Sequence, residues 1–86
     1  MLSLKSLQCF VTLVKTKSFT RTAEELYLTQ PTISKILQQL EEQLQVQLLV
    51  KPDHGRKRQI ELTEIGERIY QHAVELLQAE QNIFLE

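Results

Sequence analysis

Polar side chains with amide, hydroxyl and ammonium groups follow one another closely between residues 30 and 38. The members of this polar cluster are Gln30, Pro31, Thr32, Ser34, Lys35 and Gln38. On a helix, spacings of three and four residues place most of them on one face. Apart from Pro31, their side chains donate and accept hydrogen bonds, and together they carry one positive charge. The cluster therefore indicates recognition of a polar, anionic surface, because none of its hydroxyls comes with an identifiable base and orienting group.

Residues that usually carry catalysis or bind metals are few and scattered. Cys9, His54 and His72 do not have the spacing of a metal site. No glycine-rich phosphate loop occurs, and Cys9 lies in or beside an apolar helical stripe, which favours a structural role. We therefore expect no enzyme activity, no metal and no other cofactor.

The composition is typical of one small globular domain, with 86 residues, 42% of them hydrophobic and 24% charged. No apolar run approaches the roughly 20 residues of a membrane span. Residues 1–5 lack the architecture of a signal peptide, and a single cysteine suits a reducing compartment. These features predict a cytoplasmic protein without a membrane partner.

The net charge of −1 conceals an uneven distribution. Residues 1–60 contain nine Lys or Arg and five Asp or Glu, a net charge of +4. Residues 61–86 contain one Arg and six Glu, a net charge of −5. The basic part can face a polyanion, whereas we expect the acidic part to face water or another protein.

Apolar periodicity predicts two helices before the polar cluster. The first follows from apolar residues three, four and seven positions apart, namely Leu4, Leu7, Phe10, Val11 and Val14. Ser3 is suited to cap it, and Ser18 to cap a second, short helix over residues 19–27. In the second helix we expect Phe19, Ala23 and Leu26 to face inward.

The polar cluster lies at the start of a third helix. Thr29 can cap this helix, and Pro31 occupies its first turn, where a missing N–H costs little. Its buried stripe is predicted to be Ile33, Leu37, Leu40 and Leu44, and the opposite face carries Pro31, Ser34, Lys35, Gln38 and Glu42. Two helices joined by a short turn, the second with a polar outer face, are suited to reading the major groove of DNA.

Two short strands are predicted after residue 44. Val46, Leu48 and Val50 alternate with other side chains, as do Ile60 and Leu62. Between them, residues 52–55 have the composition of a turn and are followed by three cations, Arg56, Lys57 and Arg58. We expect a β-hairpin wing with a basic tip.

A last helix is predicted from Thr63, its N-cap, to the end of the sequence. Its apolar stripe contains Ile69, Ala73, Leu76, Leu77 and Ile83. A helix of roughly 35 Å is too long for so small a core, and the first three helices are expected to cover one another. We therefore expect this stripe to pack on a second copy of the chain in a homodimer, rather than on its own domain.

These elements predict a mainly α fold: a winged helix-turn-helix of three helices plus a two-stranded β wing, with a long C-terminal dimerisation helix. Residues 1–62 are expected to form the DNA-binding domain and residues 63–86 the linker and dimerisation helix. Double-stranded DNA would receive helix 30–43 in its major groove. There Gln30 can bond adenine, Lys35 can reach guanine, and the Thr32 methyl can contact thymine.

The sequence resembles the LysR family of bacterial transcription regulators over essentially its whole length. The resemblance is carried by AEEL at residues 23–26, LTQPTISKI at 28–36, LE at 40–41, single positions from 44 to 51, and LTEIGE at 62–67. It implies sequence-specific DNA contacts from Gln30, Pro31, Ser34 and Lys35. It also implies that wing 52–59 lies on the adjacent minor groove or phosphates, with contacts from Arg56, Lys57 and Arg58.

The resemblance further implies antiparallel pairing of the last helices and a longer protein with an effector-binding domain, often tetrameric. No small molecule is expected to bind within these 86 residues. Three departures from the family pattern stand out: Gln45 replaces the usual glycine, Leu49 replaces an aromatic residue, and the segment from Lys51 to Thr63 is longer than usual. Since a left-handed backbone is costly for glutamine, the turn at Gln45 is expected to differ locally.

A second interpretation is a winged-helix module that only dimerises or docks a protein partner, without binding DNA. The outer face of the third helix discriminates between the two, because acidic residues there would oppose DNA. Gln30, Ser34 and Lys35, in the first half of this helix, favour DNA.

Overall fold

The computed structural model describes the backbone of residues 3–51 and 60–85, with side chains as far as residue 80. Four helices occupy these ranges: α1 (Leu4–Thr16), α2 (Phe19–Leu26), α3 (Gln30–Leu44) and α4 (Glu64–Leu85). Their positions agree with the predicted helices to within about two residues, the margin within which helix ends are defined. The fold is mainly helical, as predicted.

Each helix begins at a hydroxyl-bearing residue whose side chain accepts the backbone N–H three positions further on, at 2.9 to 3.3 Å. These N-cap residues are Ser3, Ser18, Thr29 and Thr63. A side-chain acceptor at this position satisfies an N–H group that has no partner inside the helix. The four caps are therefore local features that the sequence predicted correctly.

The first three helices end at residues with a left-handed backbone, Lys17, Tyr27 and Gln45, with φ values of 55°, 57° and 58°. The N–H of Gln45 bonds back to the carbonyl groups of Glu41 and Glu42. The expectation that this turn would differ because it lacks glycine is wrong, since glutamine adopts the left-handed conformation. That conformation costs a non-glycine residue roughly 1–2 kcal/mol, which the hydrogen bonds and packing around the turn offset.

Helix α1 is the centre of the core and contacts α2, α3 and α4. Its buried side chains, Leu7, Cys9, Phe10, Val11 and Leu13, surround much of its circumference. Helices α2 and α3 cover part of that surface, and α4 packs against another part. The ring of Tyr70 in α4 meets Phe10 edge to face, with the ring centroids 6.2 Å apart.

The packing of α4 corrects one expectation about its apolar stripe. Ala73 is only 1% exposed and belongs to the chain's own core, and Ile69 and Leu77 pack against that core. The stripe therefore does not lack cover within one chain. Leu76 is 54% exposed, and the side chain of Ile83 lies outside the described residues.

The two predicted strands are present only as a single antiparallel bridge between Leu49 and Leu62 in the part of the chain that the structure describes. The N–H of Val50 bonds to Glu61 O at 2.8 Å, and the N–H of Thr63 bonds to Leu48 O at 2.9 Å. We call these paired segments, residues 48–50 and 61–63, the stem. In the described residues the pairing is limited to this bridge and these two hydrogen bonds, which is too short for regular strands, and Val50 is 41% exposed.

Candidate nucleic-acid interface

Helix α3 packs against the core along one side, and its polar side is exposed. Ile33, Leu37 and Leu40 are buried, and Leu44 packs against the core, which is the stripe predicted from the sequence. On the opposite face Pro31, Ser34, Lys35, Gln38 and Glu42 are exposed. Hydrophobic burial along one side therefore fixes which side chains of α3 can meet a partner.

Three predicted contact residues on this face have free polar groups. Among the described residues, the side chains of Ser34, Lys35 and Gln38 form no hydrogen bond or ion pair with the protein. Their donors and acceptors are exposed to solvent and accessible to a ligand. Lys35 supplies a positive charge near the start of the helix, where the backbone N–H groups also favour an anion.

Thr32 differs from its neighbours in the polar cluster. Its hydroxyl lies 2.8 Å from that of Thr29, and its backbone N–H donates to Thr29 Oγ1 at 3.3 Å. The side chain is half-buried. The polar group of Thr32 therefore serves the helix cap, which leaves only its methyl group for the predicted contact with thymine.

Gln30 has a partner that the sequence did not indicate. Its Nε2 donates to Thr20 Oγ1 at 2.6 Å, across the junction between α2 and α3. Thr20 lies in the first turn of α2, ten positions earlier, and is exposed. No periodicity links the two residues, because the contact depends on the angle between the helices. The one signal in the sequence was a hydroxyl in the first turn of α2.

Arg21, next to Thr20, is a second residue that the sequence pattern did not single out. It is exposed and is the only cation in α2. In helix-turn-helix proteins the first helix of the motif crosses the phosphate backbone. A positive charge at the start of this helix is therefore well suited to a phosphate contact.

The predicted basic tip, Arg56, Lys57 and Arg58, lies outside the described residues. The stem on either side of it is described, and its pairing brings residues 50 and 61 together. The Thr63 hydroxyl ties this stem to α4: it donates to Gln47 O at 2.6 Å and accepts the N–H of Gly66 at 2.9 Å.

Residues with other chemistry do not form a second site in the described ranges. Cys9 is fully buried, and this burial raises the pKa of its thiol, an effect that Lys5 partly opposes. Within residues 3–51 and 60–80, no group of three or more His, Cys, Asp or Glu side chains could hold a metal ion. No helix in the described part of the chain has the length and apolar character needed to cross a membrane.

The capped helix pair, the polar outer face of α3 and the stem define a helix-turn-helix domain. The family model for the bacterial regulatory helix-turn-helix protein, lysR family, matches residues 4–67. The chain therefore belongs to the lysR family, as its sequence resemblance implied.

Two curated relatives illustrate the likeness. The HTH-type transcriptional regulator CfxR of Cupriavidus necator is 43% identical over 76 residues, which are 88% of this chain and 23% of CfxR. The HTH-type transcriptional regulator BenM of Acinetobacter baylyi is 38% identical over 76 residues, 88% of this chain and 24% of BenM. The chain thus spans about a quarter of the length of these relatives.

Solved structures show the same architecture. The BenM DNA-binding domain in complex with benA site 1 DNA has a TM-score of 0.86 and is 34% identical, covering 96% of this chain and 89% of that one. Full-length BenM has a TM-score of 0.83 and is 35% identical, covering 96% of this chain and 26% of that one.

Proposed function

We propose that this chain binds double-stranded DNA sequence-specifically, with α3 in the major groove. The observation that carries the proposal is the exposed polar face of α3, on which Ser34, Lys35 and Gln38 lie opposite a buried apolar stripe, with Gln30 exposed at the start of the helix. The major groove, about 12 Å wide, admits one helix, and these side chains match the donors and acceptors of base edges there. Phosphate contacts supply most of the affinity and contacts with base edges most of the discrimination.

The biological role is regulation of transcription in a bacterium. Membership of the lysR family supports this role, as do relatives that are transcriptional regulators. A BenM DNA-binding domain of similar structure has been crystallised with DNA. Since its target is chromosomal DNA, we place the protein in the cytoplasm.

The wing extends the interface beyond α3. Residues 52–59, with Arg56, Lys57 and Arg58, lie on the adjacent minor groove or on phosphates in this proposal. Support comes from the stem, which holds both ends of this segment together, and from the concentration of positive charge within residues 1–60. Three clustered cations are suited to phosphates, whose neutralisation makes affinity depend on salt.

The active species is a homodimer joined through antiparallel α4 helices. Leu76 supports this arrangement, because it lies on the heptad stripe of α4 and, being 54% exposed, is accessible to a partner. Ile83 continues the stripe one heptad later. Ile69, Ala73 and Leu77 support α4 from the core side and hold it at a fixed angle to α1. Such a dimer places two copies of α3 about 34–36 Å apart, or a multiple of this, on one side of the DNA.

Selection of bound duplexes from a random pool, at two salt concentrations, tests the proposal. We expect enrichment of a short, partly palindromic sequence and weaker binding at the higher salt concentration. Binding that depends on salt but enriches no sequence would leave only non-specific affinity. Absence of binding at both salt concentrations would contradict DNA binding and favour a protein-interaction module.

A further inference from the structure

The side chains of Thr20 and Gln30 form a contact at the edge of the proposed interface. The Gln30 amide donates to the Thr20 hydroxyl at 2.6 Å, a short distance for a hydrogen bond between two neutral exposed groups. Gln30 is the first residue of α3, and Thr20 is the second residue of α2. The contact therefore joins the start of one helix to the start of the other.

Both ends of this contact are held firmly by their helices. The Ser18 hydroxyl caps α2 by accepting the N–H of Arg21 at 3.0 Å. The fully buried Thr22 donates its hydroxyl to Ser18 O at 2.8 Å and lies 2.9 Å from the hydroxyl of Thr16 in α1. The cap at Thr29 fixes the start of α3 in the same way. The backbone that carries Thr20 is thus held in place relative to α1 and to the start of α2.

When the Gln30 amide donates one N–H to Thr20, its other hydrogen-bonding groups remain available to a ligand. A primary amide has two N–H donors and a carbonyl acceptor, so one N–H and Oε1 remain. This remaining pair matches the N7 acceptor and N6 donor that adenine presents in the major groove. Restriction of the side chain before binding also reduces the entropy cost of placing it against a base.

We propose that Thr20 is a positioning residue that sets the base preference of Gln30, holding its amide ready for adenine. The inference rests on the proposed DNA binding and adds to it a residue outside the recognition helix. Thr20 acts through Gln30 and need not itself contact a base.

Base preference at each position of the selected site tests this proposal, for the unaltered chain and for Thr20→Val, Thr20→Ser and Gln30→Ala. Valine is nearly isosteric with threonine but lacks the hydroxyl, whereas serine retains it. We expect Thr20→Val to reduce the preference for one base pair by roughly threefold to tenfold, the magnitude expected when a single hydrogen bond is removed. Gln30→Ala should reduce it by about tenfold or more at that same base pair. Thr20→Ser should retain the preference.

The double variant gives the sharpest result. If Thr20 acts only through Gln30, adding Thr20→Val to Gln30→Ala should cause no further loss of preference, because interacting residues are not additive. Nitrogen-15 spectra of the free protein provide a readout without DNA, in which Thr20→Val should shift the side-chain amide signal of Gln30. Equal unfolding midpoints would show that the fold is intact.

Several outcomes would overturn the positioning role while leaving DNA binding in place. One is a base preference unchanged in Thr20→Val; another is an unshifted Gln30 amide signal. A uniform loss of affinity on all duplexes with a flatter salt dependence would instead make Thr20 a phosphate contact. If the unaltered chain binds no DNA, the proposed function fails and the positioning role fails with it.

Discussion

The carboxylate of Glu41, in the last turn of α3, accepts the backbone N–H of Leu48 at 2.7 Å. The same oxygen lies 3.3 Å from the N–H of Leu49. Leu48 is fully buried and Leu49 forms the bridge of the stem. One side chain of the proposed recognition helix therefore fixes where the stem begins relative to α3.

We predict that Glu41→Ala lowers the free energy of unfolding by about 1–3 kcal/mol, because backbone N–H groups in a partly buried region are left without their acceptor. Glu41→Gln retains an acceptor oxygen and should have a smaller effect. Urea unfolding followed by circular dichroism measures both. The exposed neighbour Glu42 provides the control, since Glu42→Ala should stay within about 0.5 kcal/mol of the unaltered chain. Equal effects at the two positions would contradict a structural role for Glu41.

Gly66 is required by the close approach of α4 to the stem. A Cβ atom at this position would overlap Leu48 O, which is backbone and cannot rotate away. We predict that Gly66→Ala lowers stability by about 1–3 kcal/mol through overpacking, although alanine in a helix is otherwise favoured by roughly 1 kcal/mol. Thermal unfolding measures the change. Gln71→Ala, on the exposed side of α4, is the control, and a stabilised Gly66→Ala protein would refute the close contact.

Substitution of Lys35 tests whether its side chain contacts a base or only a phosphate. Its exposed ammonium group stands on the polar face of α3 without an ion pair in the described ranges. We predict that Lys35→Ala costs roughly 1–3 kcal/mol of binding free energy on the selected site and less on random duplex. Fluorescence anisotropy with both duplexes measures the two affinities. Equal reductions in affinity would show that Lys35 contacts only a phosphate.

The three cations of the wing should act mainly as charges. Replacing Arg56, Lys57 and Arg58 together by alanine should weaken binding to every sequence. The slope of log K against log salt should become shallower by about one unit for each phosphate that is no longer neutralised. Arg21→Ala provides a comparison, with a change of about one unit if α2 crosses the backbone. An unchanged slope in the triple variant would place the wing away from DNA.

The two sides of α4 should respond differently to the same substitution. Leu76 is 54% exposed, whereas Ala73 is 1% exposed. We predict that Leu76→Glu shifts a dimer to monomer with little loss of helicity, and that Ala73→Glu unfolds the domain because it buries an unpaired charge. Sedimentation over a concentration series, with circular dichroism, distinguishes these results. A monomeric unaltered chain across that series would contradict dimerisation through α4.

Local patterns in the sequence were sufficient for the helices. Each N-cap residue accepts an N–H three positions away, and a buried stripe repeats within a single helix, so both are encoded within a few neighbouring residues. The outer face of α3 follows directly, because the side opposite the buried Ile33, Leu37 and Leu40 must face solvent. The sequence by itself therefore determined the order of the helices and the exposed faces of Gln30 and Lys35.

Tertiary structure alone decided the contacts between elements. Ala73 is buried in the chain's own core, Gln30 donates to Thr20, the Glu41 carboxylate accepts the N–H of Leu48, and Gly66 lies against the stem. Periodicity shows that α4 has an apolar side, but not whether α1 or another chain covers it. That choice depends on how much of α1 remains uncovered once α2 and α3 have packed. Such contacts arise from the angles and distances between helices, which are set by the packing of the whole core.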